Sequence, residues 1–311
     1  MLHISPEAAG QRLDVFLAAH LNVSRSRAQK LAVAVNGAAA KPSHLLKEGD
    51  EVALDLPEPP ETTSQTDLVA TDRPLPTILF EDEHLIVLDK PRGLAVHPGA
   101  GERQATLVDV LKAHSRPLSS VGPAERAGIV HRLDKDTSGA MIVCKSDAAH
   151  WKLAADFASR RVRKTYLALV CGVPPVRGRI EAPVERHPVQ RKKMAVAASG
   201  RAAITEYTVV RTWHKFALLE VNLLTGRTHQ IRVHLAYVHH PVVGDDVYGG
   251  LHRALDSAPH PASRAAIESL SGQALHSAHL AFEHPVTGES LEFAAPLPIE
   301  MQRIIESLDN N

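Results

Sequence analysis

GIVHRLDKDTSGAMIVCKS, residues 128–146, places eight polar or small residues, with Leu133 among them, between two apolar runs. Ile129-Val130 leads in, His131 to Gly139 forms the polar centre, and Ala140–Cys144 leads out. Apolar runs this short, flanking a polar centre, predict two strands joined by a loop rich in reactive side chains. Asp134 lies between Arg132 and Lys135. A carboxylate beside cations stays ionised, which suits a nucleophile or base better than a general acid. The plainer alternative is a charged loop with local ion pairs.

Further short apolar runs lie on either side of this stretch. Strands are expected at Thr77–Phe80, Leu85–Leu88, Ala168–Cys171, Ala203–Val210 and Phe216–Leu224. In the last, Leu219, Val221 and Leu223 alternate with Glu220 and Asn222. Helices are expected at Thr106–His114, Asp147–Ser159 with Asp147 as N-cap, Thr228–Val238, and after Pro298. Residues 251–273 read as a polar insertion with a short helix. Strands follow one another in hairpin order more than in βαβ alternation, so the class is α+β with a mixed, mostly antiparallel sheet.

Two more stretches carry chemistry. In LLTGRTHQIRVHLA, residues 223–236, Arg227 and Thr228 fall where a helix is expected to begin, a position that favours anions. Arg232 lies farther along that helix beside Ile231 and Leu235, and an inward-facing Arg needs a carboxylate, for which Asp134 is the obvious candidate. In RRVRKTYLALVCG, residues 160–172, four cations precede Tyr166. That ring suits either a core position or stacking on a base.

Residues 11–56 read as a separate small module. Leu13, Phe16 and Leu17 share a helix face. Ser24 caps a second, basic helix carrying Arg25, Arg27 and Lys30. Asn36-Gly37 is a hairpin turn signal, and Lys47–Asp50 turns into a strand at Glu51–Leu56. Residues 57–76 hold five prolines without apolar periodicity and read as a linker.

The 311 residues carry 35 Lys+Arg and 35 Asp+Glu, and 44% are hydrophobic, which argues against global disorder. Neutrality argues at first sight against a nucleic-acid binder. The distribution says otherwise, since residues 126–193 hold 15 basic and 6 acidic residues, enough for a phosphate-binding face. Cys144 and Cys171 sit in apolar runs without metal or disulfide spacing and read as buried thiols of a reducing compartment. No run reaches membrane-span length and no signal-peptide layout opens the chain, so a bacterial-type cytoplasm is the simplest location. No phosphate loop, dinucleotide fingerprint, HExxH or nucleophile elbow occurs. The pairs His276/His279 and His239-His240 lack a Cys or acidic partner at ligand spacing. Neither a cofactor nor a metal is expected.

HRLDKDTSG, RKTYLALVCG and LLTGRTHQIRVHLA, in this order, resemble the signature motifs of the RluA-type RNA pseudouridine synthases. GLAVHPG (93–99), HPVVGDDVYGG (240–250) and ALHSAHLAFEHP (274–285) resemble further segments of that family. The likeness covers 77–311 as the catalytic domain. Residues 1–56 resemble the S-four-type RNA-binding module, which places the chain nearest the D-type branch acting on large-subunit ribosomal RNA. Ala140 departs from the Leu more usual in the family, a difference expected to affect packing.

The resemblance implies the pseudouridine synthase fold and a cofactor-free isomerisation of uridine. It implies Asp134 as the essential carboxylate, attacking C1′ or removing the 2′ proton, with Arg232 as its partner. Tyr166 matches the tyrosine that stacks on the base, and Arg132 the arginine that fills the space of the flipped nucleotide. His131, Arg227 and His229 match weaker substrate contacts, and His97 a weaker one still. The implied partner is structured RNA, 23S-type ribosomal RNA or a precursor large subunit, and nothing in the sequence demands more than a monomer. A catalytically silent RNA-binding assembly factor with the same fold would have lost Asp134, Tyr166 or Arg232, and all three are present. A glycosidase using Asp134 and Asp136 would need its carboxylates spread farther than a tight turn allows.

Overall fold

The computed structural model describes residues 2–4, 6–20, 28, 33–54, 71, 73–98, 104–114, 116–190 and 192–310. The chain divides into two compact units, Met1–Asp67 and Leu68–Asn311. The expected basic helix, with Arg25, Arg27 and Lys30, falls outside the described residues apart from the buried Ala28. Residues 57–70 and 72 of the expected linker also fall outside them.

In the first unit, β1 (Leu2–His3), β2 (Val33–Val35), β3 (Ala38–Ala39) and β4 (Glu51–Leu54) form an antiparallel sheet of order β1-β4-β2-β3, accompanied by helix α1 (Leu13–His20). Leu13 and Leu17 of α1 pack with Val33, Val35, Leu46 and Val52. Asn36 and Gly37 both take positive φ, as the two-residue hairpin turn requires. The Asn36 amide donates to Asp50, which ties this turn to the next.

The second unit begins with β5 (Thr77–Glu81), β6 (Leu85–Lys90), α2 (Leu107–Ala113), β7 (Ser138–Cys144), α3 (Asp147–Ala158) and β8 (Arg163–Cys171). Next come β9 (Arg177–Glu181), the hairpin β10 (Val184–Arg186) and β11 (Met194–Val196), β12 (Ile204–Trp213) and β13 (Phe216–Leu223). It ends with α4 (Gln230–Tyr237), α5 (Gly250–Ser257), α6 (Pro261–Glu268), β14 (Leu275–Glu283), β15 (Ser290–Ala294) and α7 (Ile299–Asp309). Nine strands form one sheet of order β5-β6-β7-β14-β8-β13-β12-β9, with β15 on β14. Only the β7–β14 pair is parallel, in keeping with the α+β, mostly antiparallel expectation.

Central strands read as unbroken apolar runs because both sheet faces are covered. Ile86, Leu88, Met141 and Val143 point into a core shared with α2 and the C-terminal helices. Leu85, Val87, Ala140, Ile142 and Cys144 point into a second core with Leu153 and Phe282. Ala140, fully buried, is therefore a packing position. Both cysteines are buried, and burial pushes each thiol up to about 12.

Four local expectations need correction. Residues 128–130 are not a strand; Gly128 accepts from the Cys144 amide and donates to Ser119, so this segment runs beside the end of β7. Ser146, not Asp147, caps α3; Asp147 accepts from Ser119 and Ser120. Helix α4 starts at Gln230, with His229 in left-handed conformation at its N-cap, so Arg227 and Thr228 lie in the preceding turn. Residues 251–273 hold two helices whose Ala254 and Ile267 are fully buried, so they belong to the core and are not a polar insertion.

Gly139, the second residue of β7, has φ +113°, and a Cβ there would lie 2.3 Å from the Ser277 carbonyl oxygen of β14. Gly139→Ala is expected to lower stability by about 2–4 kcal/mol, combining backbone strain and overpacking. A urea denaturation midpoint equal to that of the wild type would contradict this.

Candidate active site

The polar loop after residue 130, the start of β8 and the inner face of α4 meet over a cavity of about 550 Å³. It is lined by His97, Arg132, Asp134, Tyr166, Arg227, His229 and Arg232, among others. Asp134 is the only carboxylate among its described lining residues, whereas Arg126, Arg132, Arg160, Lys164, Arg227 and Arg232 all border it.

Arg232 organises the centre. Its Nη1 donates to Asp134 Oδ2 at 3.0 Å, which realises the partnership expected from the sequence. Its Nε and Nη2 donate to both oxygens of Asp245, at 2.7 and 3.0 Å. Burial works against the guanidinium charge, but the hydrogen bonds to Asp245 and the charges of both carboxylates outweigh it and hold Arg232 above its usual range. Asp245 is completely buried and also accepts from the Val247 and Tyr248 amides. The Tyr248 ring lies 5.2 Å from the Arg232 guanidinium, and its hydroxyl meets His229 Nδ1 at 3.1 Å. His229 Nε2 stands 4.0 Å from Asp134 Oδ1.

Tyr166 is buried at the cavity floor. Burial and the Asp134 charge raise its phenol above the usual range, opposed by a hydrogen bond with Ser277. It is therefore a neutral hydroxyl at physiological pH. Arg132 is exposed at the rim, with Nη1 2.9 Å from His97 Nε2. Arg227 donates to the Ala202 carbonyl from the turn before α4. Of the four cations before Tyr166, Arg161 pairs with Asp156, whereas Arg160 and Lys164 face the cavity.

The loop that carries Asp134 is clamped by side chains that sequence reasoning missed. Buried Lys90 donates to the carbonyls of Lys135, Leu94 and Pro91 at 3.0, 2.9 and 2.8 Å. Arg92 donates to the Asp136 carbonyl at 3.0 Å, and Gln273 to Thr137 Oγ1 at 2.9 Å. His276, considered as a metal ligand, instead bridges Ser138 Oγ and the Ala295 carbonyl. The available signal was Lys90-Pro91-Arg92 ending an apolar strand, because a cation so placed is either exposed or coordinated by carbonyls. Asp245 lay within a quoted segment, but nothing local marks it as Arg232's partner.

His131 is held differently from the other candidates. Its Nε2 accepts from the Ile142 amide at 2.9 Å, and its ring stacks on Phe157 at 4.6 Å. It also lines the cavity. Burial, and secondarily the Lys164 charge, lowers it to about 3.

One carboxylate within a cleft of cations defines a carboxylate-centred site for a polyanion. The comparisons name the class. Residues 84–237 match the RNA pseudouridylate synthase family, and residues 11–52 match the S4 domain. An uncharacterized RNA pseudouridine synthase of Bacillus subtilis (strain 168) is 40% identical over 313 residues, covering 99% of this chain and 97% of the relative. The ribosomal large subunit pseudouridine synthase D of Pseudomonas aeruginosa is 42% identical over 301 residues, covering 94% of this chain and 90% of the relative. The protein of that name from Zymomonas mobilis is 40% identical over 318 residues, covering 98% and 96%. Among solved structures, human RNA Pseudouridylate Synthase Domain Containing 4 is similar, with TM-score 0.57 and 27% identity over 75% of this chain and 93% of that one. The chain belongs to the RNA pseudouridine synthase family, whose RluA-type members its motifs resemble, and it is an RNA-modifying isomerase with an S4 RNA-binding domain. No helix among the described residues is long and apolar enough to cross a membrane.

The His131 geometry makes a pH prediction. The ring titrates near 6.5 when unfolded and near 3 when folded, so between those values the unfolded state holds the extra proton. Its contribution is complete above about pH 6.5 and is lost as pH falls toward 3, by up to about 1.4 kcal/mol per pH unit. His131→Gln keeps an acceptor but cannot gain the proton. Wild-type stability in urea should therefore fall more steeply than the variant's between pH 6.5 and 4.5, and parallel profiles would refute this.

Proposed function

We propose that this enzyme converts specific uridines of large-subunit ribosomal RNA, or of its precursor particle, to pseudouridine through Asp134. The observation that carries the reading is the isolation of Asp134 as the one carboxylate in a cleft of cations, with its oxygen held by Arg232. The names of the relatives in Pseudomonas and Zymomonas support the ribosomal substrate. Residues 77–311 are assigned as the catalytic domain, 57–76 as a linker, and 1–56 as a module that grips RNA through Arg25, Arg27 and Lys30.

In the isomerisation the C1′–N1 bond breaks, a C1′–C5 bond forms, and the C5 proton is replaced by one on N1. Substrate and product have the same atoms. Asp134 either attacks C1′ or removes the 2′ proton, and both routes begin from a carboxylate whose other oxygen is occupied by Arg232. Tyr166 lies against the target base. Burial, and secondarily the Asp134 charge, keeps its phenol neutral. Late in the reaction that hydroxyl takes part in moving the C5 proton. Arg132 at the rim occupies the gap that the uridine leaves on flipping from its stack. Arg227 and His229 contact the flipped nucleotide, and His131 shapes the cavity wall.

Asp134→Asn should abolish tritium release from RNA labelled at uracil C5 while RNA binding persists, because the isostere keeps shape but neither attacks nor takes a proton. Wild-type release from the variant would exclude Asp134 as the essential group. Removal of residues 1–56 should reduce efficiency on structured ribosomal RNA more than the saturated rate. Equal modification of precursor particles by truncated and full chains would remove the RNA-gripping role of that module.

A further inference from the structure

A second cavity, of about 320 Å³, opens beside the first at the ends of β8, β13 and β14. The two share Phe157, Arg160, Lys164 and residues 223–226 as a common wall, so a strand leaving the first cavity enters the second directly. Its size is at the lower end of ordinary ligand pockets, about 300–1,000 Å³, enough for one nucleotide but not a helix.

Three cations, Arg160, Arg163 and Lys164, line it against one carboxylate, Glu292, so its charge balance suits a nucleotide. Arg160 and Lys164 stand on the shared wall without carboxylate partners among the described residues, and Lys164 is steadied 5.1 Å over the Phe157 ring. Arg163 lies beyond them, with no ion-pair or hydrogen-bond partner for its side chain among the described residues. Other cations of this unit are held by carboxylates, as in Arg179–Glu206, Arg211–Asp309 and Arg264–Glu268. Asn222, Thr165 and His279 form a row across three strands through the pairings Asn222↔Thr165 and His279↔Thr165. Thr165 Oγ1 donates to Asn222 Oδ1 at 3.1 Å, so the Asn222 NH2 is not used in that bond, and Asn222 lines the cavity. His279 presents an exposed ring, a surface on which an unpaired base can stack.

We propose that this second cavity holds the nucleotide next to the target uridine in the RNA chain. Arg160 and Lys164 take the linking phosphate, Arg163 takes the next one, and the Asn222 amide and the His279 ring meet the base. The proposal rests on the reading of the first cavity as the uridine site. It adds a specificity element, since Asn222 donates to a base edge and so favours a neighbouring base with an acceptor there.

The test uses the full chain and an RNA hairpin with a mapped target uridine, followed by single-turnover pseudouridine formation and equilibrium binding across salt concentrations. Arg163→Gln and Asn222→Ala should each raise the half-saturating enzyme concentration about three- to tenfold, the scale of one polar contact at a partly exposed site, with the saturated rate little changed. Arg163→Gln should also reduce the slope of log affinity against log salt by about 0.7, as for one single-strand phosphate. Arg211→Gln, which removes a distant ion-paired charge, should alter neither quantity. Methylphosphonate at the linkage beyond the neighbouring nucleotide should weaken binding by the wild type but not further weaken Arg163→Gln. Behaviour of Arg163→Gln matching Arg211→Gln in affinity and slope would overturn the proposal. Absence of pseudouridine from every RNA would fail the first cavity's reading instead, since the slope is measured without turnover.

Discussion

The site depends on a buried guanidinium. Arg232 is 6% exposed in its side chain, and no cation stays so enclosed without compensation. Asp245 provides most of it through two hydrogen bonds and is itself locked by backbone amides. The remaining nitrogen is thereby aimed at Asp134. This asymmetry matters chemically. A carboxylate held in a two-point clamp would have both oxygens engaged, whereas Asp134 is held by one and offers the other to the cavity. Asp245 meets most of the guanidinium's demand for negative charge, so Asp134 is needed for one hydrogen bond only.

The sheet brings these groups together. Lys90, Arg92 and Gln273 grip the loop from β6 and from the segment before β14, the two strands that flank β7. The loop is therefore fixed at the Lys135 and Asp136 carbonyls and the Thr137 hydroxyl, while Asp134 lines the cavity. Tyr166 enters from β8, the strand on the other side of β14, and Arg232 from the helix after β13. Each contributor is displaced by one or two strands from the next, an arrangement that needs a closely packed sheet and explains the tight approach of Gly139 to Ser277.

Net neutrality conceals a division of charge. Surface pairs such as Arg179–Glu206 and Arg211–Asp309 use acidic residues away from the cleft, whereas six cations border the cleft against the single carboxylate Asp134 among its described lining residues. A polyanion then meets a local positive field on a molecule with no overall charge. Such a surface favours RNA of the right shape over indiscriminate coating, and release after reaction is not opposed by a large net attraction.

Periodicity and turn chemistry made much of the architecture legible. Strands at Thr77–Phe80, Leu85–Leu88, Ala140–Cys144, Ala168–Cys171, Ala203–Val210 and Phe216–Leu224, the Asn36-Gly37 hairpin and the helices near 107, 147 and 299 follow from local preferences that act over a few residues, whereas β9 to β11 carried no such signal. Motif resemblance carried Asp134, Tyr166 and Arg232, and a buried Arg's need for a carboxylate suggested their meeting. Local patterns failed where the backbone left its usual regions or where partners were distant. The left-handed His229 shortened α4, and the two helices after Gly249 looked polar because each buries only a narrow stripe. Asp245 and Lys90 were unreadable for a different reason. Their neighbours in sequence are not their neighbours in space, and a buried charge declares its role only when the groups that compensate it are folded around it.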